Sequence, residues 1–143
     1  MNVLASIFLF SLLSLSLLYS VKAKEVSAWG DKYHVHIVNG LPDNTNLLTI
    51  HVFSGDDDLG FHDLHVNDDY EWHFRTVLPG VTEFFGHFWW AGKEGGFSVY
   101  NDDLAYDHCQ TYVCYWLVKP DGFYIANKTN PNDLELSKLY LWN

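Results

Sequence analysis

Short aromatic runs, each broken by Gly, Pro, Asn or Asp, constrain this chain more than any other feature. Aromatic residues make up 17% of the sequence, and punctuation at this spacing suits strands rather than helices. In Tyr33-His34-Val35-His36-Ile37-Val38 the residues Tyr33, Val35 and Ile37 share one face, and in Leu48-Thr49-Ile50-His51-Val52 the residues Leu48, Ile50 and Val52 do. Residues 39–46 supply turn chemistry between them. Further runs span Tyr70–Arg75, Glu83–Ala91, Phe97–Tyr100, Tyr112–Val118, Phe123–Ala126 and Leu136–Trp142, none with a sustained helical period. Lys119-Pro120-Asp121-Gly122 reads as a hairpin turn, because Pro sets φ and Gly accepts a positive φ. Gly92–Gly96 reads as a second, looser hairpin. The expected fold is all-β, an antiparallel β-sandwich of about eight strands in two sheets.

Val3–Val21 is an uncharged stretch of apolar residues with five serines, and Val21-Lys22-Ala23 offers small residues at the positions a signal peptidase reads. Residues 1–23 are therefore expected to be a removed secretory signal, leaving 24–143 as a single domain. Lys and Arg are missing before the stretch, and its length would let it span a bilayer as a retained anchor. The serines argue for release.

All acidic residues lie beyond residue 23, and the chain carries a formal net charge of −10. That sign excludes a sequence-independent nucleic-acid binder and disfavours anionic membrane surfaces.

In a secreted chain the two cysteines, Cys109 and Cys114, are expected to bond to each other. The short loop they close is worth about 2 kcal/mol in the chain-entropy account. Asn127-Lys128-Thr129 is an N-glycosylation sequon, so Asn127 is a candidate glycan site. His34 and His36 point to one strand face with His51 a candidate across from them, yet exposed histidines on an aromatic sheet need no metal, and none is expected. The acidic groups Asp56-Asp57-Asp58, Asn67-Asp68-Asp69 and Asn101-Asp102-Asp103 lack the alternating ligand spacing of a calcium loop. Turn chemistry and solvation explain them. No Gly-x-Ser-x-Gly elbow or His-Glu-x-x-His pair is present, so no catalytic residue and no cofactor are expected. A carboxylate pair for sugar hydrolysis stays open, since separations are not legible in a sequence.

His51-Val52-Phe53-Ser54-Gly55-Asp56-Asp57-Asp58-Leu59-Gly60 resembles the plant self-incompatibility S-protein family, the S-protein homologues. So do, in the same order, Trp72-His73-Phe74, the run Thr82–Trp90, Cys109 with Cys114-Tyr115-Trp116, and Asp121-Gly122-Phe123-Tyr124. The resemblance implies small secreted plant proteins with a β-sandwich, recognised as ligands at a cell surface. Val52 and Gly86 stand where that family usually has cysteines, and their joint absence implies that the missing pair bonded each other. A fold less stable than a four-cysteine relative is therefore expected.

The leading functional expectation is an extracellular signalling ligand, a monomer with no membrane insertion after cleavage, whose inter-strand loops contact a membrane receptor protein. The candidate contacts are Asp102, Asp103 and Asp107, in the loop before the disulfide, and Asp56, Asp57 and Asp58. The alternative is a carbohydrate-binding or structural cell-wall protein, suggested by aromatics that could stack on sugars.

Overall fold

The computed structural model describes residues 29–77, 80–126 and 135–143. The expected signal segment and Asn127 lie outside them. The strands are β1 (Trp29–Asn39), β2 (Leu48–Ser54), β3 (Asp58–Leu64), β4 (Asp69–Val77), β5 (Phe84–Trp90), β6 (Lys93–Tyr100), β7 (Val113–Lys119), β8 (Gly122–Ala126) and β9 (Leu136–Tyr140). One short helix, α1 (Asp102–His108), joins β6 to β7. A five-stranded sheet in the order β4-β1-β7-β8-β9 packs on a four-stranded sheet in the order β3-β2-β5-β6. The fold is thus the expected all-β sandwich. One pair departs from the antiparallel pattern: β1 and β7 run parallel, with His36 opposite Tyr115.

Alternation builds the interior. Val35 and Ile37 of β1, Leu48, Ile50 and Val52 of β2, and Val118 and Ile125 of the far strands are fully buried. Across the gap between the sheets, Phe97 of β6 sits 4.8 Å from Phe123 of β8 and 5.0 Å from Trp116 of β7, ring centre to ring centre. Trp116 Nε1 donates to the Val99 carbonyl at 3.0 Å, so the largest core residue also ties the two sheets by a hydrogen bond. A Cβ at Gly95 would lie 2.6 Å from the Phe123 ring, which is why a glycine stands inside β6.

Four local expectations change. The strand β3 was not expected, because its outward positions Asp58, Phe61 and Asp63 and the positive φ of Gly60 (82°) disguise the alternation. The second hairpin is tight rather than loose: Trp90 pairs with Lys93, and Ala91 and Gly92 turn with φ of 49° and 78°, while Gly95 and Gly96 belong to β6. The segment holding Asp102, Asp103 and Asp107, expected as a loop, is the helix α1. Seven residues are too few to show a helical period, and the start is fixed locally by Asn101, whose side chain accepts from Leu104 N at 2.8 Å. Lastly, His51 does not lie across from His34 and His36. It sits on β2 of the other sheet, pointing out on the opposite side of the molecule.

Val52 and Gly86 are direct cross-strand partners on β2 and β5. A Cβ at Gly86 would meet Val99 Cγ1 at 2.7 Å and the Phe88 ring at 2.8 Å, so those two side chains fill the volume a larger residue would need.

Candidate functional site

Register brings the two acidic segments to one end of the sandwich. Ser54 at the end of β2 pairs with Phe84 at the start of β5, and Phe84 with Tyr100 at the end of β6, immediately before α1. From the other sheet Phe74 packs on Phe84 and on Tyr100 at 4.8 and 4.6 Å, and Tyr33 packs on Tyr100 at 5.1 Å. The 54–58 turn and α1 therefore project from the same rim.

Three grooves run together across this rim. The largest, about 820 Å³, lies between the 54–57 turn and residues 81–85, with Asp56, Asp57 and Val77 in its wall. Val77 is shared with a second groove of about 370 Å³ that also holds Asp31, Tyr100 and Asp102. A third of about 420 Å³ shares Asp31, Tyr33, Ala105 and Tyr106 with the second and adds Asp107 and Tyr112. Val77, Val81, Tyr106 and Tyr112 are exposed, so the rim is apolar as well as acidic.

The expected site residues divide by role. Asp56, Asp57, Asp102 and Asp107 line the grooves. Asp58 is committed to the fold: it accepts from Gly60 N at 2.8 Å and bonds His51 Nε2 at 2.8 Å, and these bonds, the first foremost, hold its carboxyl below the usual range. Asp56 accepts from Ser54 Oγ at 3.1 Å. Asp103 is exposed in the first turn of α1 and lines none of the three grooves.

Sequence reasoning missed the tyrosines. Tyr33 and Tyr100 share a hydrogen bond, and burial raises both phenols above their ordinary range, with neighbouring negative charge adding to it. Tyr112 stacks edge-on against Tyr33 at 5.3 Å and holds φ at 63°, a costly conformation for a bulky residue. Two features impose it. Cys109 and Cys114 are bonded, with their Cα atoms 4.9 Å apart. Tyr112 N also donates to the Cys109 carbonyl at 2.9 Å, while the Tyr112 carbonyl accepts from His34 N at 3.0 Å. The one available signal was the crowding of Tyr112 between two bonded cysteines.

Among the described residues no group of three or more His, Cys, Asp or Glu could hold a metal ion, and no helix is long and apolar enough to cross a membrane.

Fold and rim together define a small, disulfide-bonded β-sandwich with α1 and three adjoining grooves at one end. The chain belongs to the plant self-incompatibility protein S1 family, whose model matches residues 34–142; these S-protein homologues are small secreted plant proteins. S-protein homolog 4 of Arabidopsis thaliana is 44% identical over 111 residues, covering 76% of this chain and 71% of that protein. S-protein homolog 29 of the same plant is 32% identical over 141 residues, covering 99% and 94%. A solved structure of SPH (self-incompatibility protein homologue) proteins, described as a widespread family of small, highly stable, secreted proteins from plants, shares the fold. Its TM-score is 0.57 at 18% identity, over 80% of this chain and 96% of that one.

Proposed function

We propose that this protein is an extracellular signalling ligand, a binder rather than a catalyst, that engages a membrane receptor through the grooved rim. The observation that supports this reading most is convergence: two acidic segments some 45 residues apart in sequence, expected separately as contacts, meet on one continuous apolar and acidic surface. Asp31, Asp56, Asp57, Asp102 and Asp107 line it, against Arg75 as the cation. Such a rim suits a receptor segment carrying basic and apolar side chains, with the charges steering the encounter and the exposed tyrosines anchoring it.

The test is saturable, protease-sensitive binding of the labelled protein to plant protoplasts. Asp102→Lys with Asp107→Lys is expected to weaken binding about tenfold or more, a loss of roughly 1.4 kcal/mol. Asp103→Lys, a single charge reversal in the same helix but outside the grooves, is expected to leave binding near wild type, whereas Asp102→Lys alone, the matched single reversal inside them, is expected to weaken it. Equal binding by all of these proteins, with circular dichroism unchanged, would reject the rim as the contact surface.

A further inference from the structure

The outward face of the four-stranded sheet carries a second surface of a different kind. Its cross-strand rows are Asp63–Thr49–Trp89–Glu94, Phe61–His51–His87–Gly96 and Asp58–Phe53–Phe85–Ser98. No Lys or Arg occupies any of these positions. Phe61 lies on the His51 ring with centroids 4.1 Å apart and planes within 13°, and Trp89 lies on His87 at 4.1 Å and 16°. Asp58 holds His51 from the side at 2.8 Å, and Glu94 approaches His87 at 3.6 Å. Each histidine thus closes one face of an aromatic ring. Phe61 is still 66% exposed, and the His51 side chain only 20%, so Phe61 is the outer ring of its pair with its other face turned away from the sheet.

Phe61 also stacks on Trp89, ring centres 5.9 Å apart and planes 27° from parallel, so the exposed Phe61 ring backed by half-buried Trp89 forms an aromatic platform. Beside Trp89, at the end of the sheet away from the grooved rim, lies a groove of about 390 Å³. Its wall includes Trp90 and the polar side chains Asn46, Thr49, Asp63, Lys93 and Glu94.

We infer that this platform and groove bind a neutral, extended polysaccharide. The C–H face of a pyranose packs on an open aromatic face. Its ring hydroxyls require both donors and acceptors around it, and the groove supplies both: Lys93 donates, Asp63, Glu94 and the Thr49 oxygen accept, and Asn46 does either. Thr49 already donates to Asp63 at 2.6 Å, which fixes that carboxylate and leaves its second oxygen for a ligand. Charge narrows the class of glycan. Asp58, Asp63 and Glu94 flank the platform of a chain with a formal charge of −10, so a polyuronate would be repelled. Lys93 in the groove wall, its ammonium 5.2 Å from the Trp90 ring centre, already occupies the place a basic peptide would want.

Native electrophoresis of the full secreted protein through gels containing xyloglucan, galactomannan, mixed-linkage β-glucan or polygalacturonate tests this. At least one of the three neutral polymers is expected to retard the protein and polygalacturonate is not. Phe61→Ala and Trp89→Ala should each weaken the retardation about tenfold, as should Asp63→Asn with Thr49→Val, which leaves both rings in place. Asp102→Lys with Asp107→Lys should not change it, so failure here and failure of the receptor reading are separable. Migration unaffected by all three neutral polymers would overturn the inference. So would retardation that survives the ring substitutions in folded protein, or stronger retardation by polygalacturonate. Binding of an arginine-rich peptide that is lost with Trp89→Ala, without any glycan effect, would reassign the face to a basic partner.

Discussion

The two outward sheet faces obey the same alternation and both carry His–carboxylate pairs, but the four-stranded one adds exposed stacked rings. On the five-stranded sheet His34 bonds Glu71 at 2.7 Å, His36 bonds Asp69 at 2.9 Å, and Lys138 pairs with Asp121 at 3.0 Å. Lys119 and Lys138 also lie over the Tyr124 ring. Charges there satisfy one another, and the apolar residues Val38, Tyr115 and Ala126 are buried in a cluster of their own. On the four-stranded sheet the corresponding positions hold stacked rings, with Phe61 and Phe85 exposed. Alternation decides which side chains face out; it does not decide whether they face water. A face whose polar groups are already paired has little to offer a partner, whereas open rings beside half-used carboxylates do.

The largest effect that could break this comparison lies beneath it. Phe88→Ala from the four-stranded sheet and Trp116→Ala from the five-stranded sheet are each expected to cost about 3–5 kcal/mol, since both side chains are buried in one core. Urea unfolding should show a single transition in either variant. Two separated transitions would mean that the sheets, and so their faces, are independent units.

A smaller effect sharpens it on one side alone. Val52→Cys with Gly86→Cys joins direct cross-strand partners and would restore the bridge the family resemblance implies. The chain-entropy account gives about 4 kcal/mol for a loop of roughly 35 residues, less the repacking that Val99 and Phe88 must undergo around a new Cβ. A raised melting temperature that falls back on reduction is the expected result. A variant that oxidises fully yet melts below wild type would show that the packing around Gly86 outweighs the cross-link.

The smallest effect compares one carboxylate from each face. Glu71 is held below its ordinary range chiefly by the hydrogen bond to His34, and Asp58 by Gly60 N–H and then His51. A lowered folded-state value stabilises above the unfolded value and is lost as pH falls through the folded one. Both groups therefore contribute to the acid limb below about pH 4. Glu71→Gln and Asp58→Asn should each flatten the fall of melting temperature in that window. Equal slopes in wild type and both variants would remove these carboxylates from the acid response.

Much of the architecture was legible because its signal is local. Val35 and Ile37, or Leu48 and Ile50, announce a strand and its buried face within five residues, and Lys119-Pro120-Asp121-Gly122 does turn where Lys119 pairs with Gly122. What escaped depends on distant residues. Strand β3 is held by pairing with β2 and hides behind outward acids, α1 is too short to show a period, and the parallel partnership of β1 with β7 has no local mark at all. The same division runs through the site. Asp56 and Asp102 stood out as acidic clusters, but that they share a rim follows only from the Ser54–Phe84–Tyr100 row. Turn chemistry at Asp58 was legible, but its bond to His51 was not, nor was the packing of Tyr33, Tyr100 and Tyr112 beside the groove.

The pairing of β1 with β7 also sets the order in which the molecule can be made. Strand β1 is interior in its sheet, with β4 on one flank, and its other edge stays open until residues 113–119 have emerged. Until then a nascent chain exposes an unpaired, apolar strand edge, the kind of surface that aggregates or recruits chaperones. Completion of the five-stranded sheet therefore waits on residues about 75 or more positions beyond its first strand, and a chain cut before residue 113 should leave β1 unpaired along that edge.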